Sequence, residues 1–319
     1  MAIIGTDIVS VKTLLETGEV VGIPTETVYG LAGNAFNDDA VLKIFKVKNR
    51  PQFDPLIVHT DSITKIPSFV SYFPAQAQQL AQRFWPGPLT LLLPKTDAIS
   101  DLVTSGLSSV AVRIPNHPLT LELLSSLSFP LAAPSANPFG YISPTSALHV
   151  DKQLGKKIPY ILDGGASQIG IESTIVGFEG ETTIVYRLGG TAVEAIEEVV
   201  GPVKVLAHST SNPQAPGMLK SHYSPRKPLF IEHFDKIIAK YPPESIGALT
   251  FQTFVSGLPT ENQRILSVSG DYSEAAKHLF AYMRQLDNLP IEVIYAELLP
   301  EKNLGRAIND RIRRAAVRE

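Results

Sequence analysis

The chain contains no cysteine, and this absence excludes several kinds of chemistry. Disulfide bonds, thiolate metal sites and a cysteine nucleophile are ruled out, and the composition fits a reducing compartment. The seven histidines do not form the HExxH pattern of a zinc peptidase. We therefore predict no metal site built from protein side chains alone.

The sequence also has no large excess of charge of one sign and no long apolar run. The net charge of -3 does not create the broad positive field that non-specific nucleic-acid binding requires. The first residues, Met1 to Asp7, carry neither the basic region nor the long apolar stretch of a signal peptide. No uncharged apolar run approaches the length of a membrane span. We expect a cytoplasmic protein without membrane attachment and without tight, direct binding of nucleic acid.

Several familiar motifs are also missing. The sequence has no GxxxxGK[ST] loop, no GxGxxG after a strand and no GxSxG turn. A P-loop ATPase, a dinucleotide dehydrogenase of the usual type and an α/β-hydrolase are therefore unsupported. A nucleotide, if one binds, must be held by side chains and by a different set of loops.

The residues that are present predict an α/β fold. Because the chain has 319 residues, of which 44% are hydrophobic, two domains are favoured over one. Strand-like and helix-like stretches alternate through residues 1–206. We expect strands at 19–23, 56–59, 89–93, 109–114, 131–133 and 160–162, a hairpin over 174–188, and helices at 7–18, 75–84, 119–127 and 146–154, with one more capped by Asn37.

The chain changes character between residues 207 and 228, where low apolar content and several prolines predict a linker. Residues 1–206 would form the first domain and 229–319 the second. In the second domain we expect strands at 246–251, 265–268 and 291–297 and an amphipathic helix beginning near Ser273. The last helix, near 303–316, is read as a solvated face or a basic surface, because it carries Arg306, Arg311, Arg313 and Arg314, with Arg318 beyond it.

The densest group of polar residues lies between Pro24 and His59. The segment PTETVYGL is followed by Lys48, Arg50 and the apolar strand that ends at His59. Cations and small hydroxyls on loops bind phosphate or carboxylate oxygens through charge-assisted hydrogen bonds. The strand before the motif and the strand ending at His59 can be neighbours in one sheet. We predict a pocket for an anionic ligand, although for the two cations taken alone a role at the helix dipole is the ordinary explanation.

Arg113 lies within the apolar strand VAVRIP. A buried charge needs an anionic partner or a path to solvent, and a substrate carboxylate is one partner for a bidentate guanidinium. Small hydroxyl and amide groups follow other strands in the segments APSAN, ISPT, EST and YRLGG. Turn chemistry is the ordinary explanation for them, and a structural role at a strand end is the ordinary explanation for His59.

In order and spacing, these motifs resemble those of the YrdC-type threonylcarbamoyl-AMP synthases. The resemblance is carried by PTETVYGL, KxR, PLIVH, VAVRIP, APSAN, ESTIV and YRLGG. The linker sequence APGMLKSHYSP and the run from Leu286 to Arg311 resemble the longer, two-domain members. The fold that this implies is an open, twisted YrdC-like α/β sheet domain with a large concave pocket, followed by a smaller Rossmann-like α/β domain.

The resemblance implies a nucleotidyltransferase that joins L-threonine, bicarbonate and ATP into threonylcarbamoyl-AMP and releases diphosphate. Partner proteins would then transfer the threonylcarbamoyl group to tRNA. Mg²⁺ would accompany ATP, bound mainly by phosphate oxygens. The alternative is an RNA-binding module of the same fold, which the acidic balance disfavours. Carbamoyl-adenylate chemistry of the hydrogenase-maturation kind is disfavoured by the lack of cysteine.

The same resemblance assigns residues to each substrate. L-Threonine would be bound by Thr27, His59, Arg113 and Ser173. ATP would be bound by Arg50, Ser109, Ser135, Asn137, Ser143, Arg187 and Tyr223. The implied catalytic residues are Lys48 and Arg50, because their charges would stabilise the triphosphate as diphosphate leaves.

Three points stay open. Asp54 stands where many relatives have asparagine, and its charge would weaken triphosphate binding unless the carboxylate points elsewhere. We expect Tyr223, with His222, to fold over the pocket and exclude water, with a passive tether as the alternative. No residue stands out as the general base that removes a proton from the threonine amine.

Overall fold

The computed structural model describes residues 1–206, 215–216, 222–231 and 234–316. Most of the predicted linker, 207–228, lies outside these residues, and so does Arg318. The predicted domain boundaries therefore stay predictions. Within the described ranges, no helix combines the length and apolar character needed to cross a membrane.

The predicted α/β architecture is confirmed, with one large sheet and one small sheet. The large sheet has 11 strands in the order β1-β8-β2-β3-β7-β4-β6-β5-β9-β10-β11. Parallel and antiparallel pairs are mixed in it. In chain order its strands are β1 Ile3–Gly5, β2 Val21–Ile23, β3 Gly30–Asn34, β4 Ile57–His59, β5 Leu89–Pro94, β6 Ser109–Arg113, β7 Leu131–Ala132, β8 Tyr160–Leu162, β9 Thr174–Glu179, β10 Thr182–Arg187 and β11 Lys204–Val205.

Seven helices accompany this sheet in the described chain. They are α1 Ile8–Glu16, α2 Asp38–Lys48, α3 Ala75–Phe84, α4 Asp101–Thr104, α5 Pro118–Ser126, α6 Ala147–Leu154 and α7 Val193–Val200. The predicted cap of α2 is confirmed, since the Asn37 side chain accepts hydrogen bonds from the amides of Asp39 and Ala40. Asn49 ends α2 in a left-handed conformation and turns the chain toward Arg50.

Strand β6 shows how the sheet separates core from site. Because successive side chains of a strand point to opposite faces, Val110 and Val112 enter the main apolar core while Ser109 and Arg113 face the other side. Strand β4 runs parallel to β6 and places His59 opposite Arg113. The two polar strand ends thus meet at one edge of the sheet.

One expected strand pairing is wrong. We predicted that β2 and β4 could be neighbours, but β3 and β7 lie between them. The motif turns the chain directly from β2 into β3, its antiparallel partner, with Ile23 opposite Gly30. We predicted no strand over Gly30–Asn34, because its glycines and lack of β-branched residues are atypical of a strand. The polar motif is therefore a hairpin turn.

The second sheet is small and fully parallel, as the Rossmann-like expectation requires. Its order is β12-β15-β13-β14, with β12 Leu229–Phe230, β13 Ile246–Thr250, β14 Gln263–Ile265 and β15 Val293–Ala296. Three helices lie in the same part of the chain, namely α8 Phe234–Ile238, α9 Tyr272–Asn288 and α10 Gly305–Ala316.

The strand predicted at 265–268 is displaced toward the N-terminus. Strand β14 ends at Ile265, and Val268 is 75% exposed. The Ser267 hydroxyl accepts a hydrogen bond from the amide of Asp271 at 2.9 Å and donates one to Glu274. These side-chain bonds favour a turn into α9 over continuation of the strand.

The two parts of the chain pack together through α9 and α10. Arg284 donates a hydrogen bond from Nε to the carbonyl of Ser143 at 3.1 Å. The hydroxyl of Tyr141 donates to Asp287 at 2.6 Å. One apolar cluster also includes Val28 of the hairpin turn together with residues of both helices, among them Phe280, Met283, Ile308 and Ile312. The hairpin motif therefore lies close to this interface.

The reading of α10 as a solvated arginine face is wrong for two of its residues. Arg311 and Arg314 are buried, at 0% and 4% relative exposure. Arg306 and Arg313 do lie at the surface, where they pair with Glu194 and Glu301. An arginine-rich amphipathic helix can direct cations inward when buried carboxylates and rings receive them.

Candidate active site

Eight of the twelve predicted site residues line one cleft. The segments that line it come from the hairpin turn, the ends of β4, β6 and β10, and the loops after α2, β7 and β8. The predicted residues among its walls are Thr27, Arg50, His59, Arg113, Ser135, Ser173, Arg187 and Tyr223. Which substrate each one binds stays a prediction.

Thr25 shapes the hairpin turn. Its hydroxyl donates to the carbonyl of Val28 at 2.6 Å and accepts hydrogen bonds from the amides of Thr27 and Val28, both at 3.2 Å. It also lies 2.8 Å from the hydroxyl of Thr27. A threonine that bonds its own turn in this way fixes the backbone locally. The turn therefore presents Thr27 to the cleft in a defined position.

His59 is a neutral residue in the wall of the cleft. Burial, and then the charge of Arg113, lowers the pKa of His59 to about 3. Its Nδ1 lies 3.3 Å from the carbonyl oxygen of Ile57, and the ring also bonds the backbone of Leu131. These two backbone contacts hold the neutral ring in place.

Arg113 has the anionic partner that its burial requires, and this partner is Glu26. The guanidinium Nη2 lies 2.7 Å from Glu26 Oε1, and Nε donates to the carbonyl of Gly87 at 3.1 Å. We predicted a partner but did not identify Glu26. In the sequence, Glu26 is marked only by its position between Thr25 and Thr27 of the PTETVYGL motif.

Arg187 and Ser173 form a second contact pair in the cleft. Nε and Nη2 of Arg187 donate to the Ser173 carbonyl at 3.1 and 2.9 Å, and Nη2 reaches the Ser173 hydroxyl at 3.1 Å. That hydroxyl also lies 2.7 Å from the hydroxyl of Thr90. Burial lowers the pKa of Arg187 to about 10, so the guanidinium stays charged at neutral pH.

Arg50 is held by the short loop that follows α2. It donates to the carbonyls of Asp54 and Pro55 at 3.0 and 2.8 Å. Its Nη2 also lies 2.8 Å from the carboxylate of Asp54, whose side chain is fully buried. The Asp54 carboxylate is therefore directed at Arg50, and its negative charge is paired with that guanidinium.

Lys48 and Asn137 support the cleft without lining it. The Lys48 ammonium donates to the carbonyls of Ser135 and Asn137 at 2.5 and 2.6 Å. The amide of Asn137 donates to the carbonyls of Pro138 and Tyr141 at 2.8 and 2.7 Å. Both side chains thus fix the backbone of the loop that carries Ser135. Burial lowers the pKa of Lys48 well below its ordinary value.

Ser143 and Ser109 also lie away from the cleft walls. The Ser143 hydroxyl donates to Oε1 of Glu172 at 2.5 Å, and Glu172 itself lines the cleft. Ser109 borders a neighbouring cleft, beside Phe178 and Tyr186. Contact of Ser109 with a ligand in the first cleft would require that ligand to extend along the sheet face.

His222 and Tyr223 form one side of the cleft. Tyr223 is almost fully buried and has a left-handed backbone conformation, with φ of 65°. The guanidinium carbons of Arg311 and Arg314 lie 5.5 and 5.0 Å from its ring centroid, within cation–π range. Burial, followed by the charges of Arg314 and Arg50, lowers the pKa of His222 well below its ordinary value.

Sequence comparison identifies both parts of the chain. A family model described as "Telomere recombination" matches residues 13–189, and one described as "Threonylcarbamoyl-AMP synthase, C-terminal domain" matches 191–317. The threonylcarbamoyl-AMP synthase of Bacillus subtilis is 40% identical over 97% of this chain and 92% of its own length. That of Pyrococcus abyssi is 37% identical over 95% of this chain and 92% of its own length. The chain belongs to the two-domain threonylcarbamoyl-AMP synthase family.

A solved structure supports membership of the threonylcarbamoyl-AMP synthase family. The crystal structure of Pyrococcus abyssi Sua5 complexed with L-threonine matches with a TM-score of 0.90 and 35% identity. The match covers 99% of this chain and 97% of that one. The predicted fold is therefore confirmed for both sheets together.

Sequence reasoning missed two charged residues that this member of the threonylcarbamoyl-AMP synthase family places at the cleft. Glu172 lines the cleft and accepts two hydrogen bonds from Arg311, both at 3.1 Å. Burial opposes the ionisation of Glu172, but Arg311, Arg187 and Ser143 together lower its pKa. Arg311 gave no signal because it is one arginine among several on an amphipathic helix.

The charges around the cleft favour an anionic ligand. Arginines outnumber carboxylates, and each carboxylate near the walls is already paired with an arginine. Arg314 keeps Nε and Nη2 buried without a hydrogen-bond partner in the described chain. Among the described residues, no three histidine, aspartate or glutamate side chains are grouped to hold a metal ion.

Proposed function

We propose that the protein is a threonylcarbamoyl-AMP synthase, which joins L-threonine, bicarbonate and ATP and releases diphosphate. The observation that carries this proposal is that three arginines from different segments line one cleft. Arg113 lies beside the neutral ring of His59, whereas Arg50 and Arg187 reach the cleft from other segments. The reaction has two kinds of anion, a carboxylate and a triphosphate, and guanidinium groups bind both through paired hydrogen bonds.

The proposed threonine side contains Arg113, His59, Thr27 and Ser173. The guanidinium of Arg113 suits the substrate carboxylate. The neutral imidazole of His59 has one nitrogen that accepts hydrogen bonds and one that donates, so the ring suits the hydroxyl or the amine of threonine. The hydroxyls of Thr27 and Ser173 can donate or accept, which suits the same polar groups.

The proposed ATP side contains Arg50 and Arg187, with Ser135 and Tyr223 on neighbouring walls. The threonine amine adds to bicarbonate with loss of water and gives a carbamate. A carbamate oxygen then attacks the α-phosphorus, and the bond to the leaving diphosphate breaks with its electron pair. Fixed guanidinium groups stabilise the charge that develops on the phosphates, because they need no reorientation during the reaction.

We assign Mg²⁺ to the phosphate oxygens of ATP. The carboxylates near the cleft, Glu26, Asp54 and Glu172, are each paired with an arginine, which makes them poor metal ligands. Mg²⁺ commonly keeps several waters and binds through substrate phosphates, so this donor set fits. The bound metal would neutralise charge on the diphosphate as it leaves.

We further propose that the reaction takes place in the cytoplasm and that partner proteins transfer the threonylcarbamoyl group to tRNA. A purely RNA-binding role is less well supported. The exposed arginines of α10, Arg306 and Arg313, are each paired with a glutamate, so the described part of that helix offers RNA little unpaired positive charge.

The test is release of pyrophosphate from ATP by the purified full-length protein with Mg²⁺. We expect release to depend on both L-threonine and bicarbonate, with threonylcarbamoyl-AMP identified by mass spectrometry. The surface variant Arg313→Gln should behave like the wild type. Equal release in the absence of threonine would exclude the synthase. RNA binding that is tight without ATP and falls steeply with salt would support the RNA-binding alternative instead.

A further inference from the structure

The ion pair between Glu26 and Arg113 goes beyond what the proposed reaction requires, because only Arg113 contacts a substrate in it. Both side chains are buried, with relative exposures of 6% and 4%. Apart from the approach of Arg113, neither carboxylate oxygen of Glu26 has a hydrogen-bond donor in the described chain. Burying a carboxylate with a single partner costs free energy of folding. Its effect on that partner, Arg113, is therefore of interest.

The backbone holds Glu26 firmly. It lies in the hairpin turn between two threonines whose hydroxyls bond the turn itself. Its own carbonyl accepts a hydrogen bond from the amide of Ile169 at 2.7 Å, which ties the turn to the loop after β8. The carboxylate is therefore presented to Arg113 from a fixed position.

The guanidinium of Arg113 is fixed at two points. Nε donates to the Gly87 carbonyl, and Nη2 faces Glu26. Two contacts on different nitrogens define the plane of the group. Nη1 has no hydrogen-bond acceptor in the described chain, and Arg113 lines the cleft. Because Nη2 is buried beside Glu26, Nη1 is the nitrogen through which Arg113 can donate to a carboxylate in the cleft.

We propose that Glu26 is a positioning residue for amino-acid recognition, because it orients the guanidinium of Arg113 so that Nη1 faces the substrate carboxylate. This inference rests on the proposed function. Pre-orientation removes the need to order a long side chain when the ligand binds. The carboxylate of Glu26 acts through Arg113 and does not itself touch the substrate.

The experiment compares Glu26→Gln with Glu26→Ala in the full-length protein. The glutamine keeps an oxygen acceptor at the same place, so we expect its Kd for L-threonine, measured by calorimetry, to stay within about threefold of the wild type. Alanine releases the guanidinium, and the Kd should rise about tenfold to a hundredfold, the range for a hydrogen bond to a charged group. The kcat at saturating threonine should change much less than KM.

A carboxylate-free analogue separates orientation from general damage. L-Threoninol lacks the carboxylate that Arg113 would bind, so Glu26→Ala should weaken its inhibition far less than it weakens threonine binding. The exposed residue Glu122 provides the matched control, since Glu122→Gln should change neither Kd. If Glu26→Ala does not fold, Glu26→Asp withdraws the carboxylate by one methylene and should raise the threonine Kd in the same way.

Two results would overturn the proposal. Glu26→Gln as damaging as Glu26→Ala would mean that threonine binding depends on the negative charge of Glu26, and not on a fixed acceptor that orients Arg113. An unchanged threonine Kd in folded Glu26→Ala would mean that Arg113 is oriented without its partner. Failure of the wild-type protein to bind threonine would count against the proposed function, and it is a distinct outcome measured in the same titration.

Discussion

Arg311 of helix α10 and Glu172 at the wall of the cleft form a buried ion pair between the two parts of the chain. Nε and Nη2 of Arg311 both donate to Oε2 of Glu172 at 3.1 Å. Arg311 also donates to the carbonyl of Leu188 at 2.5 Å and contacts the ring of Tyr223. The C-terminal part of the chain therefore takes part in building the site, because it fixes a side chain that lines the cleft.

Replacing Arg311 by methionine should reduce both stability and activity. The change leaves the Glu172 carboxylate buried without its main partner, which typically lowers the free energy of unfolding by about 3 to 5 kcal/mol. Chemical denaturation measures this loss, and pyrophosphate release measures the accompanying fall in kcat/KM. The matched control is Arg313→Met on the exposed side of the same helix, where about 0 to 1 kcal/mol is expected. Equal losses in the two variants would contradict a specific role for the buried pair.

Replacing Lys48 by methionine tests whether this lysine positions the loop or acts on the phosphates. Its ammonium bonds two buried carbonyls, and leaving each unpaired costs about 1 to 3 kcal/mol. We expect a clear loss of stability together with a raised KM for ATP, because Ser135 lies on the released loop. The exposed Lys46 on the same helix gives the control Lys46→Met, which should match the wild type. A fall in kcat alone, with stability and KM unchanged, would indicate direct catalysis instead.

A site residue can be predicted from the sequence when its immediate neighbours along the chain mark it as unusual. His59 and Arg113 stand out because each adds a polar side chain to a short apolar strand, but their assignment to the site came from the family resemblance. The parallel pairing of β4 and β6 brings the two together. Glu172 and Arg311 could not be paired in advance. They are 139 positions apart, and an arginine on an amphipathic helix is usually solvated.

The strand β3 was missed for a different reason. Its residues, GLAGN, have low strand propensity, and the pairing with β2 on one side and β7 on the other stabilises the extended conformation. Because this strand was missing from the prediction, the hairpin geometry of the polar motif and the separation of β2 from β4 could not be derived. Tertiary pairing here outweighs the local preference of the residues.

Replacing Asp54 by asparagine should lower stability while improving ATP binding. The carboxylate pairs with Arg50 at 2.8 Å, and the loss of a hydrogen bond between charged groups costs about 1.5 to 3 kcal/mol. Removing its negative charge leaves the Arg50 guanidinium less neutralised, so a triphosphate should bind more tightly. We expect a lower KM for ATP, and a lower free energy of unfolding in urea. A raised KM for ATP would instead mean that Asp54 contacts the nucleotide or its metal.

Replacing His59 by asparagine should make stability less sensitive to acid. Burial and the charge of Arg113 hold the pKa of His59 at about 3, whereas an unfolded histidine has an ordinary pKa near 6.5. Between these values the unfolded chain binds the extra proton, so the stabilising contribution is complete above about pH 6.5 and declines as the pH falls, by about 1.4 kcal/mol per pH unit.

Urea unfolding at several pH values between 7.5 and 5 measures this slope for the wild type and for His59→Asn. Part of the wild-type slope should remain in the variant, because burial also lowers the pKa of His149 to about 4. The difference between the two slopes isolates His59. Parallel slopes would mean that His59 is protonated equally in the folded and unfolded states, and the neutral state assigned to it beside Arg113 would then be wrong.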